Sequence, residues 1–174
     1  MADIVATGAR LNVLVNNGGI FPVQSLMETS LDDYRRVIET NQVGVFLGMK
    51  AVVPAMRDAS AGSIINISSI AGMTATPGAF GYGASKWAVR GMTKAAAHDL
   101  GRDDIRVNSI HPGVIETPMI HNLPQYDADP ELIIERIPWD VRASRRTSPS
   151  WRSSWPPTTP ATSPPASASS TSPS

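Results

Sequence analysis

Tyr82 and Lys86 stand four residues apart, a spacing that puts two side chains on the same face of a helix. An ammonium beside a phenol favours the phenolate and lowers the pKa of the tyrosine from its usual value of about 10. Such a tyrosine can exchange a proton with an alcohol or carbonyl oxygen near neutral pH. Ser69, thirteen residues before Tyr82, could donate a hydrogen bond to the same oxygen. These residues predict the interconversion of a carbonyl and an alcohol, with a hydride carrier as the second reactant.

Three short, apolar, β-rich segments are predicted to be buried strands, at residues 11–15, 62–67 and 105–110. A polar or turn-forming sequence follows each of them, namely Asn16 to Gly19, Ser68-Ser69, and His111 to Gly113. Strands that alternate with helices imply right-handed crossovers and a parallel sheet. Ligands of such sheets bind beyond the carboxyl ends of the strands, so we expect the polar segments to meet at one ligand-binding edge.

Two helical segments separate these strands. The first starts at Ser30, a residue suited to capping a helix, and its apolar spacing runs as far as Met56. Because that is long for one helix, Asn41 is the predicted position of a break or kink. The second segment runs from about Tyr82 to Leu100 and ends at Gly101. The sequence therefore predicts an α/β fold.

The chain resembles the short-chain dehydrogenase/reductase family over roughly residues 10–138. The segments that carry the resemblance are Asn16-Asn17-Gly18-Gly19, Asn41-Gln42-Val43-Gly44, Ile67-Ser68-Ser69, Tyr82-Gly83-Ala84-Ser85-Lys86, and Asn108 to Gly113 with Thr117-Pro118-Met119. Segments 62–70 and 89–94 are similar to bacterial hydroxysteroid dehydrogenases of that family. The resemblance implies a Rossmann-like, doubly wound parallel sheet and NAD(P)-dependent oxidation of a secondary alcohol or reduction of a ketone.

Four residues take catalytic roles by this resemblance. Tyr82 is the general acid/base, and Lys86 lowers the pKa of Tyr82 and binds the nicotinamide ribose. Ser69 polarises the substrate oxygen. The main-chain carbonyl of Asn41, freed where the helix kinks, holds a water that links Lys86 to solvent. The alternatives are a half-buried tyrosine, a solvated lysine and an asparagine that merely disfavours the helix.

The resemblance also implies a site for NAD or NADP, with NAD favoured. Asn16 to Gly19 line its adenosine side and stabilise the central strand, while Pro112 to Thr117 lie along the nicotinamide. The predicted cofactor-binding residues are Asn16, Asn17, Gly18, Gly19, Tyr82, Lys86, Pro112, Gly113, Val114 and Thr117. Gly18 stands where the family usually has alanine, which adds backbone freedom.

The phosphate-binding loop of the family, Thr-Gly-x-x-x-Gly-x-Gly, has no match in the sequence. Thr7-Gly8-Ala9 begins like it but continues without a further glycine, and we interpret it as coincidence. The sheet is therefore predicted to be incomplete, with the first βα units, roughly 60–80 residues, missing before Leu11. By resemblance, those units carry the residue that selects NAD or NADP.

Composition divides the chain after Pro138. Residues 1–138 are predicted to form a partial catalytic domain. Residues 139–174 are predicted to form a disordered tail, because 23 of these 36 residues are Ser, Pro or Thr. If the codons are GC-rich, a one-base shift of the reading frame at Pro138 would give a tail that contains the sequence GEPEDVAELAELV. That sequence has the pattern of an amphipathic helix, like the one that family members carry there. The tail is thus hypothesised to be an out-of-frame product, which the coding DNA tests.

Composition also excludes several classes of function. A net charge of zero gives no electrostatic case for nucleic acid or an anionic membrane, and there are no cysteines. Without a signal peptide or a membrane-spanning run, a soluble cytoplasmic protein is expected. His98 and His111 lack partners at ligand spacing, so no metal is expected. The expected partner is a small alcohol or ketone; the family also implies a homo-oligomer, formed through the helices that start near Ser30 and Tyr82.

Two alternatives to a working enzyme remain at this point. The first is a catalytically inactive remnant that cannot bind a cofactor, which the unmatched glycine loop favours. The second is a non-catalytic sensor or interaction protein that keeps the fold. The intact set of Asn41, Ser69, Tyr82 and Lys86 argues against the second.

Overall fold

The computed structural model describes residues 10–121 and 143–144, and its main element is a three-stranded parallel sheet. Strands β1 (Val13–Asn16), β2 (Gly62–Ile67) and β3 (Ile105–Ile110) lie in the order β1-β2-β3. Strands β4 (Ile115–Glu116) and β5 (Ala143–Ser144) form a separate parallel pair. The predicted bounds of the second and third strands are confirmed, whereas the first lies slightly later in the chain than predicted.

Four α-helices accompany the strands in the described part of the chain. They are α1 (Leu31–Ile38), α2 (Gly44–Asp58), α3 (Phe80–Leu100) and α4 (Pro118–His121), with 3-10 turns at Ile70–Gly72 and Gly101–Asp103. The Ser30 hydroxyl caps α1 as predicted, because it accepts a hydrogen bond of 3.0 Å from the Asp33 backbone N–H. A π-helical turn, Glu39–Val43, joins α1 to α2, which confirms the break predicted at Asn41.

The core lies between one face of the sheet and helices α2 and α3. Because the strand order advances in one direction, right-handed crossovers place both helices on the same face, as in one half of a doubly wound sheet. The core contains Val45, Met49, Val52 and Met56 from α2, Ile64, Ile105 and Val107 from the strands, and Val89 and Leu100 from α3. This packing fixes both helices relative to the carboxyl ends of the strands.

The first strand differs from the fully buried strand that its apolar sequence predicts. Val13 and Val15 are each 52% exposed, while Leu14 packs against the core. Neighbouring residues of a strand point to opposite faces, and the described helices that pack on the sheet cover only the face on which Leu14 lies. An uninterrupted apolar run therefore gives one covered and one half-exposed face here.

Two residues of the predicted tail are described. Ala143 and Ser144 pair with Ile115 and Glu116 in a two-residue parallel ladder. The disorder of residues 139–174 stays a prediction. The remaining tail residues and Thr7-Gly8-Ala9 lie outside the described residues. None of the helices described is both long and apolar enough to cross a membrane.

Candidate active site

The carboxyl ends of β2 and β3 are joined by hydrogen bonds that continue beyond the strands. The Ser68 N–H donates to the Ile110 carbonyl at 2.8 Å, and the Ile70 N–H donates to the Pro112 carbonyl at 3.0 Å. The predicted serine segment and the predicted nicotinamide segment are thus held side by side. This confirms that the polar segments after these two strands meet at one edge.

Ser69 lies between those two backbone bonds. Its hydroxyl accepts a hydrogen bond of 3.1 Å from the Ala71 N–H and so caps the 3-10 turn that follows. Ser69 also lies near enough to the Tyr82 hydroxyl for hydrogen bonding between them to lower the pKa of the phenol. The predicted catalytic serine and tyrosine are therefore neighbours.

Lys86 lies one helical turn after Tyr82 on α3, and its side chain is buried. Its ammonium donates to the Ile67 carbonyl at 2.9 Å and lies 5.5 Å from the centre of the Tyr82 ring. Burial lowers the pKa of Lys86 below its usual value. The ammonium carries three hydrogens, so it can bond a ligand hydroxyl as well as Ile67.

The pKa of Tyr82 shifts in the direction opposite to the sequence-based expectation. Burial raises the pKa of Tyr82 above its ordinary value, and the hydrogen bond with Ser69 lowers it by less. Desolvation disfavours the phenolate, and the Lys86 ammonium is turned toward the Ile67 carbonyl. The raised pKa therefore favours the protonated phenol of Tyr82 over the phenolate.

Asn41 is fully buried within the π-turn, and its side chain makes three hydrogen bonds. Its Oδ1 accepts from the Ile20 N–H at 2.8 Å, and its Nδ2 donates to the Ile20 carbonyl at 2.9 Å and to the Ser85 hydroxyl at 3.1 Å. These bonds tie the loop after β1 to helix α3. The sequence predicted a role for the Asn41 carbonyl; this side-chain role was missed, since it depends on contacts across distant parts of the chain.

Gly19 lies close to two of the predicted catalytic residues, Asn41 and Lys86. A Cβ atom at Gly19 would lie 3.3 Å from the Asn41 Oδ1 and 3.6 Å from the Lys86 Nζ, whereas one at Gly18 would meet nothing within 4 Å. A side chain at Gly19 would fill space beside the ammonium. The loop Asn17 to Gly19 thus leaves space beside the Lys86 ammonium at the ends of the strands.

Asn16, also predicted to line the cofactor site, points elsewhere. Its Nδ2 donates to the Asn66 Oδ1 at 2.8 Å, and the Asn66 Nδ2 donates to the Thr93 hydroxyl at 3.0 Å. Asn66 is fully buried. The side chain of Asn16 therefore links β1 to β2 and α3, which matches the strand-stabilising part of its predicted role.

Three further residues support the site and were not singled out as part of it from the sequence. The Ser68 hydroxyl donates to the Lys86 carbonyl at 2.9 Å, and the Ser85 hydroxyl donates to the Tyr82 carbonyl at 2.7 Å. The ring of Phe21 lies 4.3 Å from that of Tyr82, centre to centre. Ser85 could have been found from its position three residues after Tyr82 on the same helix face; Phe21 carries no comparable signal.

The remaining predicted cofactor residues follow β3. Pro112 is fixed through its carbonyl by Ile70, and Thr117 accepts a hydrogen bond of 2.9 Å from the Ile120 N–H at the start of α4. Val114 and Thr117 are half-buried, while Gly113 is exposed. In residues 10–121 and 143–144, no cluster of three or more His, Cys, Asp or Glu could hold a metal ion.

Most of the chain is similar in sequence to known proteins. The family model described as short chain dehydrogenase matches residues 1–128. A 3-alpha-(or 20-beta)-hydroxysteroid dehydrogenase of Mycobacterium tuberculosis is 50% identical over 115 residues, which are 66% of this chain and 44% of that protein. A trans-4-hydroxycyclohexanecarboxylate dehydrogenase of Sinomonas cyclohexanicum is 55% identical over 113 residues, 65% of this chain and 43% of that protein.

A solved structure shows the same similarity in three dimensions. It is described as ElxO with NADP bound, is 35% identical, and superposes with a TM-score of 0.75 over 82% of this chain and 58% of that one. The matched region covers less than half the length of the two curated relatives. The sequence match, the parallel sheet and the grouping of Ser69, Tyr82 and Lys86 agree with the predicted resemblance: the chain belongs to the short-chain dehydrogenase/reductase family and is similar to its hydroxysteroid dehydrogenases.

Proposed function

We propose that the protein is an NAD(P)-dependent oxidoreductase that interconverts a secondary alcohol and a ketone. The observation that carries this proposal is the half-buried Tyr82 phenol beside Ser69, with the Lys86 ammonium 5.5 Å from the centre of its ring. A protonated phenol and a serine hydroxyl that meet at one point can both address a single substrate oxygen. Such a pair is what proton transfer to a carbonyl requires.

Ketone reduction uses Tyr82 as the acid. The Ser69 hydroxyl donates a hydrogen bond to the substrate carbonyl oxygen, and the Tyr82 O–H gives its proton to the same oxygen as negative charge develops there. Lys86 then stabilises the phenolate that remains. When bound, a nicotinamide cofactor would supply the hydride that the carbonyl carbon receives. Alcohol oxidation is the reverse, and it requires Tyr82 to begin as phenolate.

The residues around this centre fit a nicotinamide cofactor. Gly19, which has no side chain, leaves room beside Asn41 and Lys86, and the buried ammonium can bond a ribose hydroxyl. Pro112 to Thr117 would lie along the nicotinamide, with Thr117 toward its carboxamide. NAD is the preference from the sequence, and the NADP of ElxO belongs to that protein, so both cofactors enter the test.

The substrate proposed is a secondary alcohol on an apolar framework, of which a steroid is one candidate. The two curated relatives are named for hydroxylated compounds of this kind. The start of α4 supports an apolar wall, because it presents the sequence Pro118-Met119-Ile120 and Met119 is exposed.

The raised pKa of Tyr82 predicts opposite pH dependences for the two directions. Alcohol oxidation needs the phenolate, so its rate should rise about tenfold per pH unit while the pH is below the pKa of Tyr82. Ketone reduction needs the phenol, so its rate should be flat near neutral pH and fall as the pH approaches that pKa. The measurement is nicotinamide absorbance with 3α-hydroxysteroids, cyclohexanols and their ketones, using NAD(H) and NADP(H) separately.

The other outcomes of that assay identify the alternatives. If the purified chain neither binds nor turns over either cofactor, the proposal is wrong and the inactive remnant takes its place. If it binds a cofactor but leaves every substrate unchanged, the chain is a sensor-like protein instead.

We also propose self-association through the two long helical segments. Phe46 and Leu47 on α2 and Phe80 and Trp87 on α3 are all exposed, which is costly for large apolar side chains unless a partner covers them. A second copy of the chain offers a matching apolar surface. Light scattering should give a mass of two or four chains, and Trp87→Glu should reduce it to one; a monomeric wild type would contradict the proposal.

A further inference from the structure

We propose that His111 is a positioning residue for Ser69, which it holds through a hydrogen bond from its Nδ1–H to the Ser69 carbonyl. The inference rests on the proposed function, because it assumes that Ser69 addresses the substrate. It assigns a task to a histidine whose position before Pro112 indicated only a turn.

The contacts of His111 bridge two strand ends. Its Nδ1 lies 3.1 Å from the Ser69 carbonyl oxygen, and its Nε2 lies 2.9 Å from the Ser109 hydroxyl oxygen. Ser109 is the fifth residue of β3, and Ser69 follows the end of β2. The imidazole of His111 therefore connects Ser109 in β3 with Ser69, which lies two residues after the end of β2.

The chemistry of the partners fixes the position of the proton. A carbonyl oxygen can only accept a hydrogen bond, so the Nδ1 of His111 must carry the hydrogen. In the neutral ring, Nε2 is then an acceptor, and a hydroxyl can supply the matching hydrogen. The Ser109 hydroxyl therefore donates a hydrogen bond to Nε2 of His111, and the Nδ1–H of His111 donates one to the Ser69 carbonyl.

His111 connects Ser69 to β3, a connection that the backbone hydrogen bonds between the strand ends do not make. The Ser69 carbonyl also accepts from the Gly72 N–H at 2.9 Å, but that bond is internal to the 3-10 turn and moves with it. The cross-strand backbone bonds are made by Ser68 and Ile70, on either side. Only the imidazole, among the hydrogen bonds of the described residues, ties Ser69 itself to β3. It thereby couples the serine to the segment that begins at Pro112.

The first experiment reads the proton directly, on the full chain with nitrogen-15-labelled histidine. Two-bond proton–nitrogen correlation spectra should show His111 with hydrogen on Nδ1, and Ser109→Ala should shift only its Nε2 signal. His98, exposed on α3, is the internal reference. A His111 ring with hydrogen on Nε2 alone would overturn the proposal, and this result needs neither turnover nor a variant of His111.

The second experiment replaces His111 with asparagine or glutamine, whose side-chain amides differ in their distance from the backbone. In His111→Asn the amide nitrogen takes the place of Nδ1, whereas in His111→Gln it takes the place of Nε2. We expect His111→Gln and His111→Ala to lower kcat by roughly 10²-fold, with a smaller change in KM, because a misplaced Ser69 no longer addresses the oxygen. His111→Asn should retain most of kcat, and His98→Ala should change nothing.

Titration of the Tyr82 phenol by ultraviolet difference spectroscopy gives a readout without turnover. The Ser69 hydrogen bond lowers the pKa of Tyr82, so His111→Gln and His111→Ala should raise this pKa further, and His111→Asn should leave it unchanged. If asparagine is as damaging as alanine in both assays, or if alanine is harmless, the positioning role is wrong. If the wild type lacks turnover, the proposed function fails, while the spectra and the titration still decide the role of His111.

Discussion

Tyr82→Phe will lower kcat by roughly 10²–10⁴-fold and leave nicotinamide binding nearly unchanged, as measured by absorbance kinetics and by cofactor fluorescence titration. The substitution removes only the hydroxyl that gives the proton to the substrate oxygen. The ring that packs 4.3 Å from Phe21 and lies beside the Lys86 ammonium stays in place. Loss of kcat with retained binding would therefore place the proton transfer at this hydroxyl.

Tyr34→Phe is the matched control for this experiment. Tyr34 is also half-buried, and its ring lies 6.1 Å from that of Phe80, but it has no contact with Ser69. It should retain wild-type kinetics. If Tyr82→Phe loses less than about tenfold in kcat, another group donates the proton and the assignment of Tyr82 is wrong.

Gly72→Ala will destabilise the fold and disable the site together. A Cβ atom at Gly72 would lie 2.7 Å from the Lys86 carbonyl oxygen and 2.7 Å from the Ser68 hydroxyl oxygen. Both are buried atoms that hydrogen-bond each other, so α3 must move away from the end of β2. Overpacking costs typically 1–3 kcal/mol, and the weakened Ser68–Lys86 bond adds about 1 kcal/mol. Urea unfolding measures this loss, and kcat should fall because Tyr82 and Lys86 move with α3.

The same substitution at Gly91 separates this effect from a general response to alanine. Gly91 is exposed near the middle of α3, and a Cβ there would meet nothing within 4 Å. Gly91→Ala should raise the free energy of unfolding by about 0.5–1 kcal/mol, because alanine loses less backbone entropy in a helix. A Gly72→Ala variant as stable as the wild type would show that α3 does not press on this glycine.

The sequence predicted those elements whose signals are local. Strands β2 and β3 have the predicted bounds because an apolar, β-rich run and the turn residues that follow both lie within a few positions. The Ser30 cap and the break at Asn41 are likewise short-range features, and the structure shows both. The grouping of Ser69, Tyr82 and Lys86 followed from their spacing and from the family resemblance.

Features that depend on burial or on contacts between distant residues could not be predicted from the sequence. The pKa of Tyr82 was expected to fall because Lys86 is near in sequence, but burial outweighs that and raises it. The direction in which a lysine points depends on an acceptor nineteen residues away, the Ile67 carbonyl. The half-exposed face of β1 similarly depends on which side the crossovers take, and no residue of the strand encodes that.

The π-turn between α1 and α2 requires a fixed number of residues in this segment. In it the Gly44 N–H reaches back five residues to the Glu39 carbonyl, instead of the four of an α-helix. Deleting one residue between Glu39 and Val43 would let the segment close into ordinary α-helical turns, but it would remove the wide turn that holds the Asn41 side chain against Ile20 and Ser85. Surface loops usually absorb insertions and deletions while helices absorb substitutions. Here a helical segment should accept exchanges of many side chains during evolution and reject the gain or loss of a single position.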